Sequence, residues 1–167
     1  MKKHRVLKVI AFVAVSAAAV YAINSYINYE ASRKKLLGCD AEDFYNWKGT
    51  KVFYKKTGSG SPVLLVHDLN PSSSAFEWKD VVSSLSKNHR VYVLDLPGCG
   101  RSGKPKQTYT NFYFVQLLTD FVKDMICEPS AVIATGFSSP VALMAGVYDS
   151  SKFSKMLFIN PPASNIL

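Results

Sequence analysis

The stretch that decides the reading of this chain is "ATGFSSPVALMAG", Ala134 to Gly146. It continues the β-branched run "AVIAT", Ala131 to Thr135, and passes into an apolar pattern of helical character from Val141 to about Val147. A strand, a sharp turn and a helix in that order can lift a serine hydroxyl clear of a sheet. Ser138 is then either a nucleophile on that turn or a serine that caps a buried helix. As an isolated pattern the stretch favours the cap, so the decision falls to its surroundings.

Upstream, "VLLV" from Val63 to Val66 is a continuous apolar run too short for a helix, and "VYVLDL" from Val91 to Leu96 reads as the next buried strand. Such runs suit strands covered on both faces, as in a parallel sheet. "SAFEWKDVVSSLSK" lies between them, with Phe76, Val81, Val82 and Leu85 near helical spacing. "NFYFVQLLTDFVKDMI" follows, with Phe114, Leu117, Leu118, Phe121, Val122 and Met125 on one stripe. A last strand is expected over Met156–Ile159. Before all of these, "FYNWKGTKVFYKKTGSGSP" reads as two short strands around a Lys48-Gly49-Thr50 turn. Alternating strands and helices predict an α/β fold with a mostly parallel sheet and flanking helices.

In such a sheet, ligands bind beyond the carboxyl ends of the strands. Three segments converge there: His67-Asp68-Leu69-Asn70, the loop Asp95 to Ser102, and Ser138. A serine hydroxyl is a weak nucleophile and needs a base beside it and donors for the developing oxyanion. The helix after Ser138 would aim its N-terminal N–H groups at that point, that of Ser139 among them. Gly136, two residues before the serine, lets strand and helix pass closely.

Composition places the rest. Of 167 residues, 48% are hydrophobic, enough for one ordinary core. The net charge of +8 sits almost wholly before residue 57, so the chain from there on is near neutral. That distribution argues against a nucleic-acid groove and for a membrane neighbour. Val6 to Ile23 is apolar apart from Lys8 and Ser16, close to the roughly 20 residues of a spanning helix. Tyr26 and Tyr29 fit an interfacial belt at its outer edge. We read it as a single-pass anchor in the cell membrane, with the domain on the extracytoplasmic side. A cleavable signal peptide is the alternative. The organisation expected is an anchor or signal segment over 1–30, a linker over 31–43 and an α/β domain over 44–167. Cys39, Cys99 and Cys127 share no metal-ligand spacing, so no metal and no cofactor is expected, and "LLGC" from Leu36 to Cys39 is a coincidental match to a lipidation box.

Taken together, "VLLVHDLNPSSSAFEW", "VYVLDLPGCGRSGKP" and "ATGFSSPVALMAG" resemble the α/β-hydrolase fold family, in its esterase, lipase and peptidase-like branch. The likeness runs from about Phe44 to Pro162. It implies Ser138 as the nucleophile, with the backbone N–H groups of Leu69 and Ser139 as the oxyanion donors. It also implies that His67 supports the oxyanion loop and is not the base, while Asp95 fixes the "PGCGRS" turn and Cys99 is a turn residue. Two positions depart from the pattern: Pro140 stands where a second glycine is usual, and Asp68 replaces the glycine after the histidine.

The resemblance implies hydrolysis of an ester, thioester or amide through an acyl-Ser138 intermediate. The acid and the histidine base would come from strands beyond this sequence, so a C-terminal complementing half is the expected partner. His4 in the stem and His89 ahead of a strand are both misplaced for the base. The alternative is a non-catalytic module of the same fold that binds an apolar ligand or partner.

Overall fold

The computed structural model describes residues 2–33 and 44–162 of the chain. The linker expected over 31–43, with Cys39 and the "LLGC" stretch, falls outside the described residues from 34 onward. The chain divides into two compact units, Met1–Gly38 and Cys39–Leu167.

The first unit is a helix, α1, over Lys2–Arg33. It therefore runs into the first residues of the expected linker. Its segment Lys8–Ile27 is long and apolar enough to cross a membrane, and Val9, Phe12, Val13, Val20 and Ile23 all stand exposed on it.

The second unit is built on strands β1 (Phe44–Trp47), β2 (Thr50–Thr57), β3 (Ser61–Val66), β4 (His89–Leu94), β5 (Ser130–Thr135) and β6 (Phe153–Ile159). Helix α2 (Lys79–Leu85) joins β3 to β4. Helix α3 (Asn111–Phe121), prolonged by a π turn over Val122–Ile126, joins β4 to β5. Helix α4 (Ser138–Tyr148) joins β5 to β6. The sheet order is β1-β2-β4-β3-β5-β6. The pairs β4/β3, β3/β5 and β5/β6 are parallel, and β1 and β2 add an antiparallel margin.

The two faces of the sheet have separate cores. Leu64 and Val66 point with Tyr92, Leu94, Val132 and Ala134 into the larger one, which Phe114, Leu117, Leu118, Phe121, Val141 and Ala145 complete from α3 and α4. Val63 and Leu65 point the other way, with Val91 and Val93, against Ala75 and Trp78. Alternate residues of one apolar run thus serve opposite faces, the reason the run carries no polar positions.

Several boundaries differ from expectation. The second buried strand ends at Leu94 and not Leu96, because Asp95 already turns to meet the loop at Ala75. The segment before α2 is a 3-10 turn over Ala75–Trp78, which leaves Phe76 and Val81 exposed and gives Trp78 the core position. Helix α4 begins at Ser138, not near Val141, and this shift governs the site.

Chain order reverses direction at β3: β4 lies on one side of it and β5 on the other. At such a switch point the loops leave the sheet on opposite faces and open a crevice. The residues after β3 therefore stand where a ligand is expected. Beyond β6, no strand pairs with the outer edge among the described residues, and Leu157 and Ile159 are exposed there.

Candidate active site

His67, the first residue after β3, is fully buried. The N–H of Leu96 donates to its Nε2 at 2.9 Å, which makes Nε2 the acceptor. The proton then sits on Nδ1, 2.7 Å from the carbonyl oxygen of Asp68. Burial pushes the imidazole below its usual range, as expected for a ring removed from water. Both nitrogens are engaged, so His67 joins the β3 and β4 loops and has no nitrogen left for proton transfer.

Asp95 performs the matching task from β4. Its Oδ1 accepts the N–H of Ala75 at 2.6 Å, and its Oδ2 accepts the backbone N–H of Arg101 at 2.8 Å and Nε at 2.9 Å. The Arg101 guanidinium lies over the Phe53 ring, 3.5 Å from its centre. A side chain at Gly100, with φ of +47°, would collide with this pinned carboxylate. Cys99 is buried, its Sγ lies 3.4 Å from the Asn70 carbonyl, and burial raises its thiol pKa. Such a thiol is a poor nucleophile.

The turn between β5 and α4 differs from expectation. Its left-handed residue is Gly136, with φ of +52°. The strained apex that would aim a side chain outward thus falls on a residue that has none. Ser138 is two residues further, already the first residue of α4 and fully buried. Its Oγ donates to the Thr135 carbonyl at 2.7 Å, with the Val66 carbonyl at 3.4 Å.

The expected bare hydroxyl is therefore corrected: the helix starts early enough to turn Ser138 back onto the strand it leaves. The expected oxyanion donor is corrected too. The N–H of Ser139 donates to the Gly136 carbonyl at 3.1 Å, and its hydroxyl faces the Ala134 carbonyl at 3.3 Å. Leu69 is half-buried, and its N–H meets no acceptor among the described residues.

The N–H that follows the apex belongs to Phe137, and Oδ1 of Asp68 accepts it at 2.7 Å. The Asp68 carboxylate lies directly over Gly136, so that a methyl group there would overlap it. Behind it, Oε2 of Glu77 accepts the Asp68 N–H and the Thr135 hydroxyl, each at 3.3 Å. Asp68 is thus the polar side chain at the apex. The sequence marked it only as a departure from a glycine.

Two further features lie at the strand ends. Phe137 is 57% exposed. A cleft of about 290 Å³ opens between the β3 and β4 loops, lined by Leu69, Pro71, Pro97, Cys99, Tyr109 and Phe114 among others. His89 lies at the opposite end of the sheet, its Nδ1 2.9 Å from the Ser61 hydroxyl. Among the described residues no three His, Cys, Asp or Glu side chains gather as a metal site would require.

Known proteins share this framework. A 2-hydroxy-6-oxo-6-(2'-aminophenyl)hexa-2,4-dienoic acid hydrolase of Metapseudomonas resinovorans is 34% identical over 85 residues, 50% of this chain and 29% of the relative. A haloalkane dehalogenase of Bradyrhizobium diazoefficiens is 30% identical over 95 residues, 56% of this chain and 30% of its own length. An alpha/beta hydrolase fold protein from Burkholderia ambifaria superposes with a TM-score of 0.68 at 25% identity, over 75% of this chain and 46% of that one. The chain thus spans less than half the length of these proteins. The model of the alpha/beta hydrolase family matches residues 63–166, from β3 through the turn and beyond β6. On that match and the architecture beneath it, this chain belongs to the alpha/beta hydrolase family.

Proposed function

We propose that this chain is a membrane-tethered module of the alpha/beta hydrolase fold that binds an apolar ligand at the strand ends and forms no acyl intermediate on Ser138. The observation that carries the reading is the Ser138 hydroxyl, buried and committed to the Thr135 carbonyl beneath an apex that is a glycine. In this conformation the oxygen faces the sheet, away from an incoming acyl group. The cleft beside Leu69 and the exposed ring of Phe137 supply apolar surface at the same edge.

The anchor is α1, through residues 6–23, with the domain on the extracytoplasmic side and the basic residues Lys2, Lys3, Arg5 and Lys8 inside. Detergent, and not high salt, would release it, since burying about 20 apolar residues outweighs screened lysine contacts. The edge of β6, which pairs with no strand among the described residues, is the docking place for a complementing half of the fold.

Photocrosslinking tests the ligand reading. A long-chain alkyl diazirine, applied to the full-length chain in nanodiscs, is expected to mark Leu69 to Pro71, Pro97 to Cys99, Tyr109 or Phe114. Adducts confined to α1 would contradict it.

A second reading is favoured by a hydrolase among the relatives and by the family model, whose match spans this turn. It is hydrolysis of an ester, thioester or amide through acyl-Ser138, with the acid and the histidine supplied by the complementing half. It requires Ser138 to leave the Thr135 carbonyl and turn outward, and Asp68 to release the N–H of Phe137.

A further inference from the structure

We infer that Asp68 is the residue that sets specificity at the strand ends, and that it selects ligands presenting a proton-donating head group, an amine or a hydroxyl, over those presenting a carboxylate. The inference rests on the apolar-ligand reading above and adds the polarity of the head group.

A free N–H at the start of α4, together with the N–H of Leu69, which meets no acceptor among the described residues, would make an edge that donates hydrogen bonds. Such an edge suits an oxyanion or a carboxylate. Here the Phe137 N–H is spent on Oδ1 of Asp68.

The carboxylate lies in the space above Gly136 that a side chain of the apex would fill. An ionised carboxylate only accepts hydrogen bonds. With Oδ1 engaged by Phe137, Oδ2 is the oxygen left for a ligand. The edge has therefore changed sign, from donor to acceptor. The Glu77 carboxylate behind Asp68 adds to the same negative field.

The position of Asp68 is fixed from three sides. Its carbonyl accepts from His67 and from the N–H of Asn70, its N–H is held by Glu77, and its side chain is held by Phe137. An acceptor so placed costs little to organise when a ligand arrives. Its neighbour Leu69 lines the cleft. Asp68 directly precedes Leu69, and we place the head group of a chain seated in that cleft against it.

The test uses three diazirine probes with the same alkyl chain and an amine, a carboxylate or an uncharged methyl end, each crosslinked to the full-length chain in nanodiscs. The amine probe is expected to label the cleft residues roughly tenfold more than the carboxylate probe, the yield of one charge-assisted hydrogen bond. Asp68→Asn keeps the volume and an acceptor for Phe137 but removes the charge. It is expected to bring the ratio close to one while labelling by the methyl probe stays unchanged.

Gly136→Ala, which places a methyl group where the carboxylate lies, is expected to lower the ratio without altering any charge. An amine-to-carboxylate ratio that is the same in the parent chain and Asp68→Asn would overturn the assignment of Asp68 alone. Absence of cleft labelling by all three probes would overturn the apolar-ligand reading, and this inference with it.

Discussion

The hydroxyl of Ser138 donates to the carbonyl of Thr135 at 2.7 Å, across the turn that joins β5 to α4. The bond closes the first turn of the helix onto the last residue of the strand. It gives Ser138 a structural task that a nucleophile could not perform at the same time. Ser138→Ala is therefore expected to cost stability, about 1 kcal/mol for one buried neutral bond. A thermal melt of the full-length chain in detergent reads it as a fall of a few degrees. An unchanged melting point would mean that the hydroxyl is not so engaged.

Acid is expected to destabilise the domain through His67. Its folded-state pKa is lowered by burial, while in the unfolded chain it titrates near about 6.5. Below that value the unfolded state takes up a proton that the folded state refuses. Stability is thus fully present above about pH 6.5 and is lost as pH falls towards the folded pKa, by at most about 1.4 kcal/mol per pH unit. His67→Gln should be less stable at neutral pH and show a flatter slope below about pH 6.5. Denaturant melts at stepped pH measure both, and equal slopes would exclude His67 as the source.

Asp95 is expected to matter more than any residue of the turn. It is fully buried and holds the N–H of Ala75 and the side chain and backbone of Arg101. Asp95→Ala removes the carboxylate to which the mostly buried Arg101 guanidinium donates, a loss of roughly 3 kcal/mol. Loosening should appear at both loops. Hydrogen exchange at the amides of Ala75 and Arg101 should accelerate together in the variant, and acceleration at one alone would mean that the two loops are not joined through this carboxylate.

Much of the frame was legible because its signals are local. The runs Val63 to Val66 and Val91 to Leu94 lack polar positions, since both faces of those strands are covered. The convergence of His67, Asp95 and the β5–α4 turn follows from strand order alone. The turn itself was harder. In Thr135-Gly136-Phe137-Ser138 the one residue that adopts positive φ without strain is Gly136, a sign in the sequence that the apex precedes the serine by two positions. The role of Asp68 had no local sign. Its carboxylate meets the N–H of Phe137, 69 positions further on, a distance no periodicity spans. Phe76 failed as a core residue for a related reason: a 3-10 turn advances the chain differently from an α-helix and brings Trp78 inward in its place.

The most direct measurement is of covalent labelling at Ser138. The full-length chain, in the membranes of its native source where any complementing half is present, is treated with a fluorophosphonate and analysed by intact mass and peptide mapping. The account predicts no phosphonylated Ser138, because the oxygen is buried and hydrogen-bonded to the strand. A stoichiometric adduct on Ser138, absent from Ser138→Ala, would contradict it and establish the serine as the nucleophile.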